Sequence, residues 1–413
     1  MVMDKSFIER RFWHNCTVWL PFQSFAFRDD PNSRLHRMAL RLMRPKRRAL
    51  KSIFYSIVWP IRSVRIASHA SKELCAQKRE PGISRMRAFC TIWWAMVRHN
   101  LSVQSIFRYR LWMPGALRQA DDFFQHYELV KLVEWLNSVP EANELQDKIQ
   151  FEAMARKAGL PAAQIVATII NQSIAFQVPS GFPQQDLFSK ANNKYGGEGC
   201  QLWRFDRASK TWSNGNGAKN QQELIASLVG ESPEASFLIQ RSYQNNAFMG
   251  KLSSGALCTI RIVTSKLPGK HPKFFRSAVL MPVGGQVVDN FAKGSLAAGI
   301  DDTGHLIQAT KLADHGAPID KHPDTGQIIA GLKLEGWEEA VDLALAAHAK
   351  ITDVPTVGWD VALTPEGTIL LEANVGWGGN VLQIPGSRPL GRAFSDMFLT
   401  VAEQKLRDEG WQI

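Results

Sequence analysis

The segment VGWDVALTPEGTILLEANVGWGGN, residues 357–380, carries the strongest structural signal in the sequence. Its runs VGWDVAL and TILLEAN are rich in Val, Ile and Leu and flank TPEG, which is typical of two strands joined by a tight turn. A three-residue hairpin loop commonly ends on glycine, as this one would. Symmetric pairing about Glu366 places Asp360 opposite Glu372, with Asn374 on the same face as Glu372.

The same pairing places Leu363 opposite Ile369 and Val361 opposite Leu371, so that these residues and Ala373 form an apolar face. The opposed carboxylates would repel each other, because directly opposed Cβ atoms lie about 5 Å apart. Two explanations stay open from the hairpin alone. A cation such as Mg²⁺ binds carboxylate and amide oxygens, or Lys and Arg side chains neutralise a solvated face. If the hairpin binds a cation, replacing either carboxylate by its amide should relieve the repulsion between Asp360 and Glu372 in the metal-free protein.

Length and composition are those of an ordinary globular protein. The 413 residues are 45% hydrophobic and 21% charged, which predicts two or three domains or subdomains. The five cysteines are scattered and never form a CxxC pair, which suits a reducing cytoplasm. No apolar run approaches the ~18 residues of a membrane span, and no signal-peptide pattern opens the sequence, so we expect a cytoplasmic location.

Positive charge is concentrated at the N-terminus. Residues 1–118 hold 23 Lys and Arg against 6 Asp and Glu, a balance of +17, whereas the remainder has a balance of −6. Within residues 32–68, apolar residues recur at helical spacing. Such a basic amphipathic region is a helical cap packed on its neighbour, or it contacts an anionic membrane surface at the inner face of the membrane. Nucleic acid is an unlikely partner, because no binding motif is visible.

After this helical region, the pattern of predicted helices and strands indicates an α+β fold. Residues 89–115 and 121–139 are typical of helices, and Pro140 is expected to end the second. Helices are also expected over 147–162, 336–351 and 392–410. Strands are expected in AQIVATII, DLFSKA, SFLIQRSY, GALCTIRIVTSK, FFRSAVLMPV and QVVDNFA.

A glycine-rich loop follows Lys190 in DLFSKANNKYGGEGCQLWRF, residues 186–205. Its glycines Gly196, Gly197 and Gly199 would let backbone N–H groups approach a phosphate, with the lysine as countercharge. The spacing does not match a P-loop. A hairpin turn beside a surface lysine explains the motif equally well.

The order of these motifs along the chain is more informative than any one of them. DK and a helix come first, followed by the lysine–glycine loop, IQRSY, TIRIVT, VDN, DDTGHL, HPDTG and finally the carboxylate hairpin. Over about residues 90–390, the sequence resembles the ATP-grasp superfamily, in particular the sugar-transfer associated ATP-grasp family related to α-L-glutamate ligases. The resemblance implies two α+β subdomains clasping ATP. We therefore expect a basic region over 1–118 and subdomains over 119–240 and 241–413.

The resemblance also implies residue roles. Lys148 and Lys190 would neutralise ATP phosphates, the glycine loop would cover them, and Arg261 with Lys190 would stabilise the transferred phosphoryl group. Adenine would be read, largely through backbone groups, by Gln240, Arg241, Ser242 and Tyr243. One or two Mg²⁺ ions, for which Mn²⁺ can substitute, would be held by Asp360, Glu372 and Asn374.

The activity that the resemblance implies is an ADP-forming carboxylate–amine ligase that works through an acyl phosphate. Its substrates would be a carboxylate and an amine, such as a carboxylated glycan or exopolysaccharide precursor and an amino acid. The alternatives are a kinase-like phosphotransferase and a non-catalytic membrane-associated assembly factor. The sequence departs from the family pattern in its basic helical N-terminus and in KGSLAAG, which begins at Lys293 where two glycines are expected.

Some residues near these motifs have two interpretations each. Asp289 and Asn290 either face the cleft or shape a turn. His315 and His322 either contact substrate or are structural. Trp359 and Trp377 either stack on a sugar or pack in the core.

Overall fold

The computed structural model describes residues 23–43, 49–76, 83–177, 179–192, 199–231 and 236–410. The helices used below are α1 (Pro31–Met43), α2 (Ala49–Ala76), α3 (Arg85–Arg98), α4 (Val103–Arg108), α5 (His126–Leu136), α6 (Pro140–Gln146), α7 (Lys148–Lys157), α8 (Gln221–Gly230), α9 (Trp337–Ile351), α10 (Asn380–Gln383) and α11 (Gly391–Asp408). The strands are β1 (Ile165–Ile170), β2 (Ser173–Phe176), β3 (Leu187–Ala191), β4 (Gln201–Asp206), β5 (Thr211–Ser213), β6 (Ala218–Lys219), β7 (Phe237–Arg241), β8 (Thr259–Ser265), β9 (Lys273–Met281), β10 (Leu296–Ile300), β11 (Leu306–Lys311), β12 (Thr356–Thr364) and β13 (Gly367–Asn374).

The chain divides into two compact units. The first contains the described residues up to Leu136 together with Leu312–Pro318 and the described part of the chain from Gly376 onward. The second contains Asn137–Lys311 and Ile319–Val375. The expected boundaries near 118 and 240 do not coincide with this division, and the three-part organisation stays a prediction.

The first unit is helical, as predicted for the N-terminal region. Side-chain caps begin its helices: Asp30 accepts a hydrogen bond from Ser33 N at 3.0 Å, and Ser84 accepts one from Arg87 N at 3.2 Å. The helical stretch expected over 89–115 is interrupted between α3 and α4, where Asn100 adopts a φ of 54°. Within the described residues, no helix is long and apolar enough to cross a membrane.

Two sequence predictions of local structure are wrong. The helix expected over 121–139 spans only His126–Leu136, and Pro140, beyond its end, is the first residue of α6, where its missing N–H removes no helical hydrogen bond. QVVDNFA is not a strand. It forms a turn in which Asn290 accepts a hydrogen bond from Ala292 N at 2.8 Å and caps a short 3-10 helix, Phe291–Lys293.

The second unit contains two antiparallel sheets. One has seven strands in the order β2-β1-β7-β3-β4-β5-β6, and the other has six in the order β11-β10-β9-β8-β12-β13. Helix α9 packs on the six-stranded sheet, and apolar side chains between helix and sheet form the largest core, which includes Ile260, Ile262, Ala344, Val361 and Leu370.

The β12–β13 hairpin forms as predicted, but its register changes along its length. Asp360 does lie opposite Glu372. Val361 instead pairs with Leu370, so Leu371 is an extra residue and forms a bulge on β13. The loop closes on Thr364 and Gly367 and is therefore two residues long rather than three.

The bulge also corrects the predicted apolar face. Val361 packs in the main core with Leu370. Ile369 and Leu371 pack in a separate small cluster that includes Ala362. Both faces of the hairpin are thus apolar towards its tip, and the polar positions lie beyond the bulge.

Candidate active site

Three charged residues form a row across adjacent strands of the six-stranded sheet. The backbone register places Arg261 of β8 beside Asp360 of β12, and Asp360 beside Glu372 of β13. Arg261 donates two hydrogen bonds to Asp360, from Nε to Oδ1 at 2.5 Å and from Nη2 to Oδ2 at 3.0 Å. Asn374 Nδ2 donates a third to Asp360 Oδ2 at 3.1 Å. The pair is well shielded, because only 16% of the Arg261 side chain and 15% of that of Asp360 are exposed.

Two lysines approach the other carboxylate. Glu372 Oε2 lies 3.9 Å from Lys148 Nζ and 4.0 Å from Lys190 Nζ. These distances exceed a hydrogen bond, so the lysines contribute charge without occupying the carboxylate oxygens. Burial lowers the pKa of Lys190, and neighbouring Lys148 lowers it further, whereas Glu372 raises it. The structure thus brings together the lysines, the arginine and the carboxylates that the sequence nominated.

Asn192 holds this arrangement in place and was not identified from the sequence. Its Oδ1 accepts from the backbone N–H of Lys148 at 3.0 Å, and its backbone carbonyl accepts from Lys148 Nζ, also at 3.0 Å. Its Nδ2 donates to Asp147 Oδ2 at 2.8 Å, while Asp147 Oδ1 caps helix α7. Asn192 therefore ties the start of α7 to the end of β3, the strand that carries Lys190.

Lys148 occupies a position that is unfavourable for a cation. It is the first residue of α7 and is buried, although the positive end of a helix dipole disfavours positive charge. A sequence that breaks a local rule in this way usually does so at a functional site. An anionic ligand would be stabilised here both by the lysine and by the helix N-terminus.

Asp289 is a third carboxylate near the row. Thr259, two residues before Arg261 on β8, donates a hydrogen bond from Oγ1 to Asp289 Oδ2. Burial raises the pKa of Asp289 to about 8, and the negative charge of Asp360 adds to this effect. Asp289 is therefore largely protonated at neutral pH. Of the two interpretations from the sequence, the turn holds for Asn290, whereas Asp289 lies within electrostatic range of the row.

Cys200, which follows the glycine-rich loop, was also not identified from the sequence. Its pKa is raised by burial and responds to the charges of Lys190, Glu372 and Lys293. The thiol thus lies near both the predicted phosphate lysines and the KGSLAAG segment. Of the loop glycines, Gly199 has a φ of 70°, and Gly196 and Gly197 lie outside the described residues.

The predicted adenine-binding residues lie at the end of β7. The Gln240 side chain donates to Ala163 O at 3.3 Å, and Ser242 N donates to Asp186 O at 3.0 Å. Arg241 forms an ion pair of 3.0 Å with Glu366 in the hairpin loop. Tyr243 packs beside the small apolar cluster of the hairpin, and the Arg241 guanidinium lies over its ring, 5.5 Å from the centroid.

The donor set fits Mg²⁺ only if the metal arrives with phosphates. Among the described residues, no group of three His, Cys, Asp or Glu side chains is placed to hold a metal ion. Two carboxylates and one amide are present instead, and Asp360 already accepts hydrogen bonds from Arg261 and Asn374. Protein-bound Mg²⁺ commonly has one or two carboxylate ligands and completes its shell with substrate phosphates and water. Asp360, Glu372 and Asn374 fit that mode.

The remaining candidates make contacts within the protein. His322 is buried, and its Nε2 donates to Pro282 O at 3.1 Å, since a carbonyl can only accept. The His315 ring packs edge-on against Phe107 at 5.4 Å. Trp359 is fully buried and donates from Nε1 to Thr264 Oγ1 at 2.8 Å, so it packs in the core rather than on a sugar.

The α+β fold has two antiparallel sheets, and its candidate site combines paired lysines, an arginine and opposed carboxylates. These are features of the ATP-grasp class of proteins. The model of the family described as sugar-transfer associated ATP-grasp matches residues 129–395, and the chain belongs to this family. Membership confirms the predicted family, and the helices and antiparallel sheets of the structure confirm the α+β class.

Solved structures to which the chain is similar include D-alanyl-alanine synthetase A from Vibrio cholerae, at 14% identity over 65% of this chain and 66% of that one, with a TM-score of 0.37. D-Alanine–D-alanine ligase from Bacillus anthracis, complexed with ATP, has 11% identity over 65% of this chain and 69% of that one, with a TM-score of 0.37. An ADP complex of purK, N5-carboxyaminoimidazole ribonucleotide synthetase, has 12% identity over 56% of this chain and 45% of that one, with a TM-score of 0.34. The chain thus spans two thirds or less of two of these proteins. No curated protein matches it.

Proposed function

We propose that the protein is an ADP-forming carboxylate–amine ligase. The observation that carries this proposal is the row of Arg261, Asp360 and Glu372 with Lys148 and Lys190 beside it. With Asp289 protonated, three cations face two carboxylates, which leaves an excess positive charge. Such a site suits a polyphosphate, because phosphoryl transfer depends mainly on positioning and charge neutralisation.

Each residue has a defined part in this reaction. Lys148 and Lys190 bind the ATP phosphates, and the positive charge of Arg261, which Asp360 holds in place, stabilises the transferred phosphoryl group. Asp360, Glu372 and Asn374 would hold Mg²⁺, which when bound would neutralise phosphate charge. The end of β7, from Gln240 to Tyr243, receives adenine against the neighbouring apolar cluster.

The proposed chemistry has two steps. A substrate carboxylate oxygen attacks the γ-phosphorus of ATP, so that the bond to the β-phosphate oxygen breaks and ADP leaves with an acyl phosphate as the other product. The nitrogen of a neutral amine then attacks the acyl carbon, phosphate departs, and the nitrogen loses a proton to give an amide. No covalent bond to the protein is required.

The proposal extends to the substrate class. The family is associated with sugar transfer, which favours a carboxylated glycan precursor as the acceptor and an amino acid or other amine as the donor. A glycan precursor assembled at a membrane would bring the protein to the inner face of that membrane, which its basic N-terminal region would contact.

Product analysis with uronic acids as carboxylate probes tests this proposal. Hydroxylamine should convert the acyl phosphate to a coloured hydroxamate, with one ADP released per hydroxamate. Glu372→Gln should abolish both products, whereas Asp302→Asn, a substitution at an exposed carboxylate, should change neither. AMP and pyrophosphate would instead indicate an adenylating enzyme. ADP with a stable phosphorylated hydroxyl group would indicate a kinase, and binding of ATP without turnover of any probe would favour an assembly factor.

A further inference from the structure

Helix α2 exposes a stripe of large apolar side chains. Ile57, Ile61 and Val64 are 70%, 75% and 42% exposed, respectively. Their spacing of four and three residues places them on one face of the helix. The opposite side of α2 is buried through residues such as Trp59 and Leu74. The exposed stripe is therefore not the face by which α2 packs on the rest of its unit.

Helix α3 has the same character. Met86 and Trp94 are 71% and 50% exposed and lie eight residues apart, on one face of the helix. Its buried face includes Ala88, Ile92 and Ala95. A surface helix usually has apolar residues on its buried side only, whereas α3 has them on its exposed side as well.

The two helices lie side by side and run antiparallel. Trp93 Nε1 donates to Pro60 O at 3.3 Å near the middle of α2, and Cys75 Sγ lies 3.9 Å from Ile83 O near its end. The exposed stripes therefore belong to one packed helical hairpin, which we call the α2–α3 hairpin.

Apolar exposure is concentrated on this hairpin. The described chain has ten large hydrophobic side chains that are exposed, and five of them lie on these two helices. Scattered exposed apolar residues are normal, but a concentration of them marks an interaction surface.

The charge of the hairpin favours an anionic partner. Helices α2 and α3 together contain seven Lys and Arg residues and a single acidic residue, Glu73. Two exposed basic residues, Arg65 and Lys72, lie near the α2 stripe. Protein interfaces are depleted of charge at their centre. Apolar stripes flanked by basic residues are typical of helices that lie in the interface of an anionic bilayer.

We propose that the α2–α3 hairpin docks on an anionic membrane surface. The stripes of α2 and α3 insert at the level of the lipid headgroups, and the basic side chains contact lipid phosphates. The inference concerns the first unit only and does not depend on the ligase reaction, so either can fail without the other.

Flotation of the full-length protein with vesicles tests the inference. Binding is expected to vesicles of phosphatidylcholine mixed with phosphatidylglycerol, and to be much weaker to phosphatidylcholine alone. Ile57→Ser with Ile61→Ser should reduce the partition coefficient about tenfold or more, because the inserted apolar area is lost. Arg65→Gln with Lys72→Gln should reduce it about tenfold at low salt and flatten the salt dependence.

A matched control has the same chemistry elsewhere on the surface. Ile170→Ser with Ile328→Ser replaces two side chains that are 49% and 56% exposed in the second unit, and vesicle binding should be unchanged. Vesicles should also shift tryptophan emission to shorter wavelength, and Trp94→Phe should remove most of that shift.

Three results would overturn the inference. The first is equal binding to neutral and anionic vesicles. The second is binding that the isoleucine pair does not affect. The third is self-association in sedimentation velocity that the isoleucine pair abolishes while vesicle binding is absent, which would assign the hairpin to a second copy of the chain.

Discussion

Arg261 and Asp360 face each other on neighbouring strands and share two parallel hydrogen bonds, of 2.5 and 3.0 Å. This relationship changes the expectation for the ligand-free protein. From the sequence, neutralising either carboxylate was expected to relieve repulsion. In the structure Asp360 already has a cationic partner, Arg261. Loss of the Asp360 carboxylate would leave this shielded guanidinium without a hydrogen-bond acceptor.

We therefore predict that Asp360→Asn and Glu372→Gln differ in stability. Removing one partner of a buried ion pair typically reduces stability by about 3 kcal/mol, which is the expected effect of Asp360→Asn. Glu372→Gln should reduce stability less, by about 1 kcal/mol, because its contacts to the two shielded lysines, at 3.9 and 4.0 Å, are longer than hydrogen bonds. Urea unfolding without nucleotide measures both. Equal losses in the two variants would contradict the assigned pairing.

Asn192 should control nucleotide affinity through Lys148. Asn192→Ala removes the side-chain contacts to the Lys148 backbone and to Asp147, and a hydrogen bond to a charged group contributes about 1.5 kcal/mol. The Kd for ADP, measured by calorimetry, should rise about tenfold.

Asn137 offers a matched control for this experiment. Its side chain donates to Thr356 O and Val375 O at 2.7 and 2.6 Å, in the same unit but with no contact to the lysines. Asn137→Ala should lower the Tm and leave the Kd for ADP unchanged. An equal rise in Kd in both variants would show that the effect of Asn192 is general loss of structure.

Asp289 should make stability fall as pH rises from about 4 to 8. The pKa of an unfolded aspartate is about 3.9, and the native pKa is about 8. Between these values the unfolded chain has released a proton that the native state retains, so increasing pH favours unfolding. Asp289→Asn lacks this effect, and its Tm relative to the parent should increase steadily over that range. Parallel Tm curves would place Asp289 in water.

His36 should give the first unit its own pH dependence. Burial disfavours its charged form, but the 2.5 Å contact with Glu128 raises its pKa to about 9. The pKa of an unfolded histidine is about 6.5, so this stabilisation is complete below pH 6.5 and is lost as pH rises through 9. His36→Gln leaves buried Glu128 without its cationic partner. This substitution should reduce stability by about 3 kcal/mol at pH 6 and by less at pH 10.

A double substitution separates this charge effect from packing. The His36 ring stacks between Phe25 and Phe124, with centroid distances of 5.3 and 4.6 Å. His36→Phe with Glu128→Leu keeps the stack and removes both charges, so stability should be closer to the parent than that of His36→Gln and should no longer vary across this pH window. Persistence of the pH dependence would assign it to another group.

The sequence predicted the opposition of Asp360 and Glu372 because both lie at fixed distances from a recognisable turn. It did not predict the bulge at Leu371, because local pattern does not distinguish the two apolar faces of the hairpin, which tertiary packing separates. Asn192 was invisible for a related reason: its partner Lys148 lies 44 residues away, and only the folded chain brings them together.

QVVDNFA illustrates the opposite error. Its two β-branched valines, Val287 and Val288, favour a strand, yet Val287 is 46% exposed and the segment turns around Asn290. Strand propensity is weak where no neighbouring strand is available to pair. In this segment the hydrogen bond between Asp289 and Thr259 and the turn at Asn290 determine the backbone conformation instead.

The discontinuity of the first unit has a consequence for biosynthesis. Helix α1, made early, pairs with the last helix: Asn32 Oδ1 accepts from Ser395 Oγ at 3.1 Å, and Arg34 contacts Glu403 at 2.8 Å. Four buried apolar residues of α11, which are Phe394, Phe398, Ala402 and Leu406, complete that packing. The second unit is complete in the chain before α11 is translated, whereas the N-terminal helices lack their last partner until then. Translation that stops short of α11 would therefore release a chain whose N-terminal helices have no finished core.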